Sequence, residues 1–267
     1  MPDQSTYVSI ARRTWLKGLC ALPALSGVAA LSAFAQGTPH SLASRFVGGA
    51  RAWVEGDWLH VGTRAVPDHG SPYFPAGDSR HEAFQGSNPM GHRFHHSPTQ
   101  IAPHDMILRI PLKPEPAAAV LRTPMGPIGI ALNGVPFFNQ YAGNGQSLSH
   151  EIVSFDQYNG HPTPHGMYHY HAEPMALTKR FGRDALLGVL LDGFPVYGGI
   201  ENGREVRNAD LDECHGHSHA TNDFPAGIYH YHTTMQEPYL NGRGFYGQRG
   251  QIIRASFDPA EVFCATA

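Results

Sequence analysis

Apolar residues run along this chain in short bursts, broken every few positions by Gly, Pro, Asn or Asp, and the pattern predicts short strands joined by many turns. Residues 52–61 alternate on either side of Gly56-Asp57 and predict a hairpin; 106–111 predict another strand. Between them, 67–103 is polar and rich in Gly and Pro, and a loop of that length in a compact domain usually has a function or is poorly ordered. Farther on, 130–138 reads as an apolar strand, an Asn133-Gly134 turn and a second apolar strand. In the second half the one long helix candidate is 177–187. The predicted fold is mainly β and loop-rich, with few short helices.

The second half repeats. Leu190-Leu191-Asp192-Gly193-Phe194-Pro195-Val196-Tyr197 matches 130–138, and the block 211–217 matches 155–161. Gly227-Ile228-Tyr229-His230-Tyr231-His232 matches Gly166-Met167-Tyr168-His169-Tyr170-His171. Three matched blocks in one order define two copies, about 128–175 and 187–236. Two copies are too few for a solenoid, so they predict a duplicated β-unit with its halves related by a pseudo-two-fold axis.

The chemistry sits in the last block. Side chains alternate across a strand, so in Tyr168-His169-Tyr170-His171 both tyrosines face one way and both histidines the other. Imidazoles at i and i+2 can converge on one ion, and neutral imidazole is a common ligand for copper and zinc. His230 and His232 repeat the arrangement, and His161 and His217 lie at matched points upstream, each after a glycine. The candidate metal ligands are therefore His169, His171, His230, His232, His161 and His217. Two constructions stay open: one site per copy, or a single shared centre at the pseudo-axis. A plain amphipathic strand, tyrosines inward and histidines merely satisfied, is the competing explanation. Asp156 and Asp212 recur too, as outer partners of an imidazole or as turn formers before glycine. His219 continues the alternation of His215 and His217, and is an auxiliary ligand or part of a polar loop.

Composition sharpens this picture. Of 267 residues, 18 are His, and Gly and Pro supply 30 and 22. The net charge of −3 gives no basic footprint for nucleic acid. The first 35 residues read as an address: Arg12-Arg13-Thr14-Trp15-Leu16-Lys17, a moderately apolar stretch, then Ala33-Phe34-Ala35. This is similar to a twin-arginine export signal, implying passage through that export machinery to the periplasm or beyond, with 36–267 as the mature domain. No apolar run in the mature chain is long enough to span a membrane. Cys20 leaves with the signal. Cys214 and Cys264 then form one disulfide in an oxidising compartment, unless Cys214 is a thiolate ligand instead.

The doubled Tyr-His-Tyr-His, with Ala131-Leu132-Asn133-Gly134-Val135-Pro136 and Leu191-Asp192-Gly193-Phe194-Pro195-Val196-Tyr197, resembles the YHYH-domain family. Asp68-His69-Gly70, Phe74-Pro75 and Gly126-Pro127-Ile128-Gly129 resemble its upstream blocks, so the likeness spans roughly 53–250. Tyr158 departs from it, standing where the resemblance implies a cysteine like Cys214. The family is named for its motif, so the resemblance marks His169, His171, His230 and His232 without assigning them an activity. The expected function is a periplasmic or secreted histidine-rich metal-binding protein, with copper the first choice and zinc the second. An open copper position would suit an oxidoreductase, and a zinc-bound water a hydrolase. The alternatives are a metal storage or delivery module using surplus loop histidines such as His92, His95 and His96, and a structural β-domain.

Overall fold

The computed structural model describes residues 42–254. Residues 1–35, expected to be an export signal, and Cys20 and Cys264 lie outside the described residues. Two sheets dominate. Arg51–Glu55 and Trp58–Thr63 form the expected hairpin, and Met106–Pro111 and Gln251–Ile253 extend it into four antiparallel strands. Met106–Pro111 alternates buried and half-buried residues along its length, the signature of a strand with one face on the core.

The larger sheet has eight strands. From one edge they run Gly216–His219, Ile228–His232, Pro195–Tyr197, Leu186–Leu190, Pro127–Ala131, Pro136–Phe138, Tyr168–Tyr170 and Gly160–Pro162. The pairing pattern is the same read from either edge. A histidine-bearing antiparallel hairpin lies outermost and makes a parallel contact with the next strand, which in turn pairs antiparallel with a central strand. The two central strands, Leu186–Leu190 and Pro127–Ala131, pair antiparallel with each other. Each of the two matched stretches of sequence thus supplies four strands. The turns fall at Asn133-Gly134 and Asp192-Gly193, where Gly134 and Gly193 adopt φ of +79° and +88°, a left-handed conformation that side chains resist. Leu59, Val61, Leu108 and Ile110 from the small sheet share one core with Ile128, Ile130, Leu187 and Val189 from the large one.

The helix expected over 177–187 is shorter and earlier, Met175–Phe181, and Leu186–Leu190 is a strand. Gly182, at φ +105° with its N–H on Thr178 O at 2.9 Å, ends the helix. Leu186–Leu190 is buried on both faces at the sheet centre, so its sequence is continuously apolar and carries no readable period. Among the described residues no helix is long and apolar enough to cross a membrane.

The long 67–103 loop is a brace. Ser71 Oγ–H donates to Asp156 Oδ2 (2.6 Å), Tyr73 O–H to Ser154 O (2.6 Å), and Asn88 Nδ2–H to Ile152 O (2.7 Å). It thereby fixes the backbone that leads into Gly160–Pro162.

Candidate metal centres

The glycine before each outer histidine has a steric cause. A Cβ on Gly160 would lie 2.3 Å from Cζ of Tyr168, and one on Gly216 2.5 Å from Cζ of Tyr229. The tyrosine of the motif lies across its partner strand, and only glycine leaves room for the ring. Register then sets His161 opposite His169 and His217 opposite His230. The tyrosines occupy the other face, as the alternation requires. Tyr168 donates to Asp156 Oδ2 (2.8 Å), Tyr229 to Asp212 Oδ1 (2.9 Å) and Tyr231 to Asp192 Oδ2 (2.5 Å), while Tyr170 Oη meets Nε2 of His69 at 2.7 Å.

At one edge His161, His169 and His171 are 5%, 2% and 1% exposed, and one nitrogen from each converges within 4.8 Å of the others. His169 Nδ1–H donates to Met167 O (3.1 Å) and His171 Nδ1–H to Asn139 O (2.5 Å). The hydroxyl proton of Ser154 goes to Glu151 O (2.7 Å), so Ser154 Oγ accepts from His161 Nδ1–H at 2.8 Å. A carbonyl oxygen can only accept, so each Nδ1 carries the hydrogen and each Nε2 presents a bare lone pair. His169 Nε2 and His171 Nε2 face each other at 2.9 Å, and His161 Nε2 is buried with no hydrogen-bond partner. Burial drives the pKa of His161 and His169 far down and that of His171 to about 4. The imidazoles are neutral, and protonation is a costly way to relieve the facing lone pairs.

At the opposite edge the set is larger. Glu201, His217, His219 and His230 bring donor atoms within 4.8 Å of one another. His232 Nε2, buried and without a hydrogen-bond partner, lies 3.4 Å from Glu201 Oε1. All four rings again use Nδ1–H on a carbonyl: His217 on Asp210 (3.2 Å), His219 on Ala220 (3.1 Å), His230 on Ile228 (2.9 Å) and His232 on Gly198 (2.7 Å). Their Nε2 atoms surround the Glu201 carboxylate at 2.8–3.4 Å. Burial lowers the pKa of His230, and that of His232 to about 4. Burial works to raise that of Glu201, but the positive charge its imidazoles carry when protonated, that of His232 first, outweighs it and the net shift is downward. Five acceptor groups thus point at one another, the arrangement a cation resolves.

The family model for YHYH proteins matches residues 107–206 and 200–244, more than half of the chain. The chain belongs to the YHYH family. No curated protein and no solved structure matches it.

In this YHYH protein the six expected histidines fall into two separate groups, one per copy. Four strands lie between the two Tyr-His-Tyr-His strands, a span of about 24 Å along the sheet, so the shared-centre construction does not apply. His219 joins the second group because 216–219 is a strand, which extends the i, i+2 alternation by one ligand. Glu201 was not foreseen; the matched position of the first copy, three residues beyond the carbonyl that holds the last histidine, is Ala142.

Other candidates take structural roles. Asp156 and Asp212 are turn formers that also anchor tyrosines: Asp156 accepts from the N–H of Tyr158 and Gly160, Asp212 from Cys214 and Gly216. His215, at φ +75°, turns away to Thr234 Oγ1. His92, His95 and His96 join no ligand group among the described residues, and His96 stacks on Tyr73. Cys214 is a buried free thiol in the main core. Burial first, then the nearby Asp212 and Glu213, push its pKa to about 12, and it joins no ligand group among the described residues. Its expected disulfide partner, Cys264, lies outside the described residues. Tyr158, in the matching place, packs on His69 with ring centroids 4.3 Å apart.

Proposed function

We propose that this YHYH protein is an exported metal-binding protein whose two histidine groups each hold a transition-metal ion, with copper first and zinc second. The observation that carries this reading is the pair of bare Nε2 atoms of His169 and His171, 2.9 Å apart while both Nδ1–H groups are held by carbonyls. Buried lone pairs pointed at each other are unfavourable unless a cation lies between them. Rings fixed through Nδ1 are already in the tautomer and orientation that a metal ion requires. The periplasmic location rests on the twin-arginine-like leader, and that export route suits a chain that folds around its ion before transit.

Chemistry on a substrate, either copper-dependent oxidation or zinc-dependent hydrolysis, belongs to the second centre. Glu201 borders two surface clefts, one shared with His217 and one with His232 and Tyr197. Storage or delivery of ions without turnover is the second reading, favoured by the three buried donors of the first centre.

Elemental analysis of chain exported and purified without chelator tests the proposal, beside the His169→Ala/His230→Ala double variant. One or two equivalents of copper or zinc, lost in the variant, are expected. A protein that arrives metal-free and refuses both added metals would make the Tyr-His-Tyr-His strands architectural.

A further inference from the structure

The two centres differ in charge and in access to water. The first offers three neutral nitrogens and no oxygen donor. Phe138 stacks on His169 with ring centroids 3.9 Å apart, and Phe155 lies nearly parallel to His171 at 5.7 Å and tilted against His161 at 4.9 Å. The nearby carboxylate, Glu151, stands outside the ligand group. Its Oε2 is 3.8 Å from His161 Nε2, its side chain is 36% exposed, and Oε1 accepts from Gly143 N–H. The second centre holds a carboxylate in its middle and four imidazoles around it, with the Glu201, His217 and His219 side chains 21%, 22% and 33% exposed.

Taking an ion out of water costs free energy in proportion to the square of its charge, so a divalent ion is penalised four times as heavily as a monovalent ion of equal size. Neutral imidazoles return dipole interactions but no net charge, so a sealed three-nitrogen pocket handicaps a divalent ion far more than a monovalent one. A filled-shell monovalent cation is also content with three ligands, whereas a divalent ion on three histidines takes a water as its fourth, and only the second centre, with its carboxylate and partly exposed side chains, is open to solvent. We infer that the first centre selects a monovalent filled-shell cation, copper(I) by chemistry, and the second a divalent one. This rests on the metal-binding reading above.

The test loads the full chain, stripped of metal, with silver(I) as a redox-silent monovalent probe and cobalt(II) as the divalent one, separately and together, then desalts it and counts both. One equivalent of cobalt should be retained and lost in His230→Ala. Silver retention should fall by one equivalent in His169→Ala, a difference that discounts silver held by thiols. His161→Ala, on the edge strand, should repeat the His169→Ala result and guards against a misfolded variant. Glu201→Gln should weaken cobalt binding roughly 10–100-fold, the loss typical of removing even an outer partner of a ligand, and leave silver untouched. Cobalt lost in His169→Ala, silver lost in His230→Ala, or two centre-bound equivalents of either cation would overturn the selectivity while leaving metal binding intact. Retention of neither cation by the unsubstituted chain would overturn both.

Discussion

In the first copy a fan of imidazoles closes under aromatic rings; in the second, the same fan opens around a carboxylate. The backbone that builds each is matched strand for strand. Asn139 O and Gly198 O hold the last histidine of each motif, and the outer glycine accommodates a tyrosine ring in each. The differences lie beside the motif: Phe138 against Tyr197, Thr163 against His219, Ala142 against Glu201, Phe155 against Leu211. Register across the outer hairpin sets which imidazoles meet, and the flanking segments set the charge and the exposure of what they hold. A duplicated motif can thus keep its geometry while its two copies diverge in chemistry.

Acid should separate the two most strongly. In metal-free protein the folded-state pKa of His171 is about 4 against 6.5 unfolded, so the unfolded chain binds more protons between those values. Such a histidine costs nothing above pH 6.5 and destabilises as the pH falls toward 4, by about 2 kcal/mol at pH 5. His161 and His169 shift in the same direction, with no carboxylate in their ligand group to balance the charge they gain. At the second centre Glu201, itself shifted down, stays ionised and offsets protons taken up by its imidazoles. Amide hydrogen exchange at pH 7 and pH 5 should show residues 160–170 opening before 216–232. The reverse order would mean that neither the burial of the first group nor its lack of a carboxylate sets the acid sensitivity of the two edges.

A smaller effect comes from the outer glycines. Gly160→Ala and Gly216→Ala each drive a methyl group into a tyrosine ring, an overpacking that typically costs about 1–3 kcal/mol. The first should be the worse, because Tyr168 is wholly buried with Asp156 and the 67–103 loop behind it, whereas Tyr229 is slightly exposed and stacks on Tyr246 at 3.6 Å. Denaturant unfolding of both variants checks the ranking. Equal losses would show that the loop brace adds no rigidity beneath the first motif.

Much of this architecture was legible in the residues. The Asn-Gly and Asp-Gly turns, the hairpin at Gly56-Asp57 and the two faces of Tyr-His-Tyr-His follow from local conformational preference and strand alternation. Long-range features were not. Glu201 has no counterpart in the first copy, and a single carboxylate on a two-residue strand carries no period. The choice between one centre and two depended on strand order, because parallel neighbours leave each motif toward an outer edge. The loop over 67–103 has almost no regular structure, and its tethers to Asp156, Ser154 and Ile152 cross more than sixty residues of sequence. Only the fold brings those partners together.

The mildest probe exchanges one flanking ring. Tyr197 lies beside the second centre, with its ring 5.2 Å from His230 by centroid, and its hydroxyl donates to Asp223 Oδ2 (2.9 Å) and lies 2.9 Å from Thr221 Oγ1. Phe138 fills the matched place in the first copy. Tyr197→Phe therefore makes the second centre resemble the first in one respect while keeping the aromatic wall. Asp223 retains Arg45 as an ion-pair partner, so the loss should fall at the low end for a hydrogen bond to a charged group, about 1.5 kcal/mol. Metal content at the second centre should be unchanged, since the imidazoles and Glu201 supply all the donors. If the variant instead loses its second equivalent of metal, the phenol belongs to the ligand environment, and the contrast between the two copies extends from charge to a tyrosine at the ion.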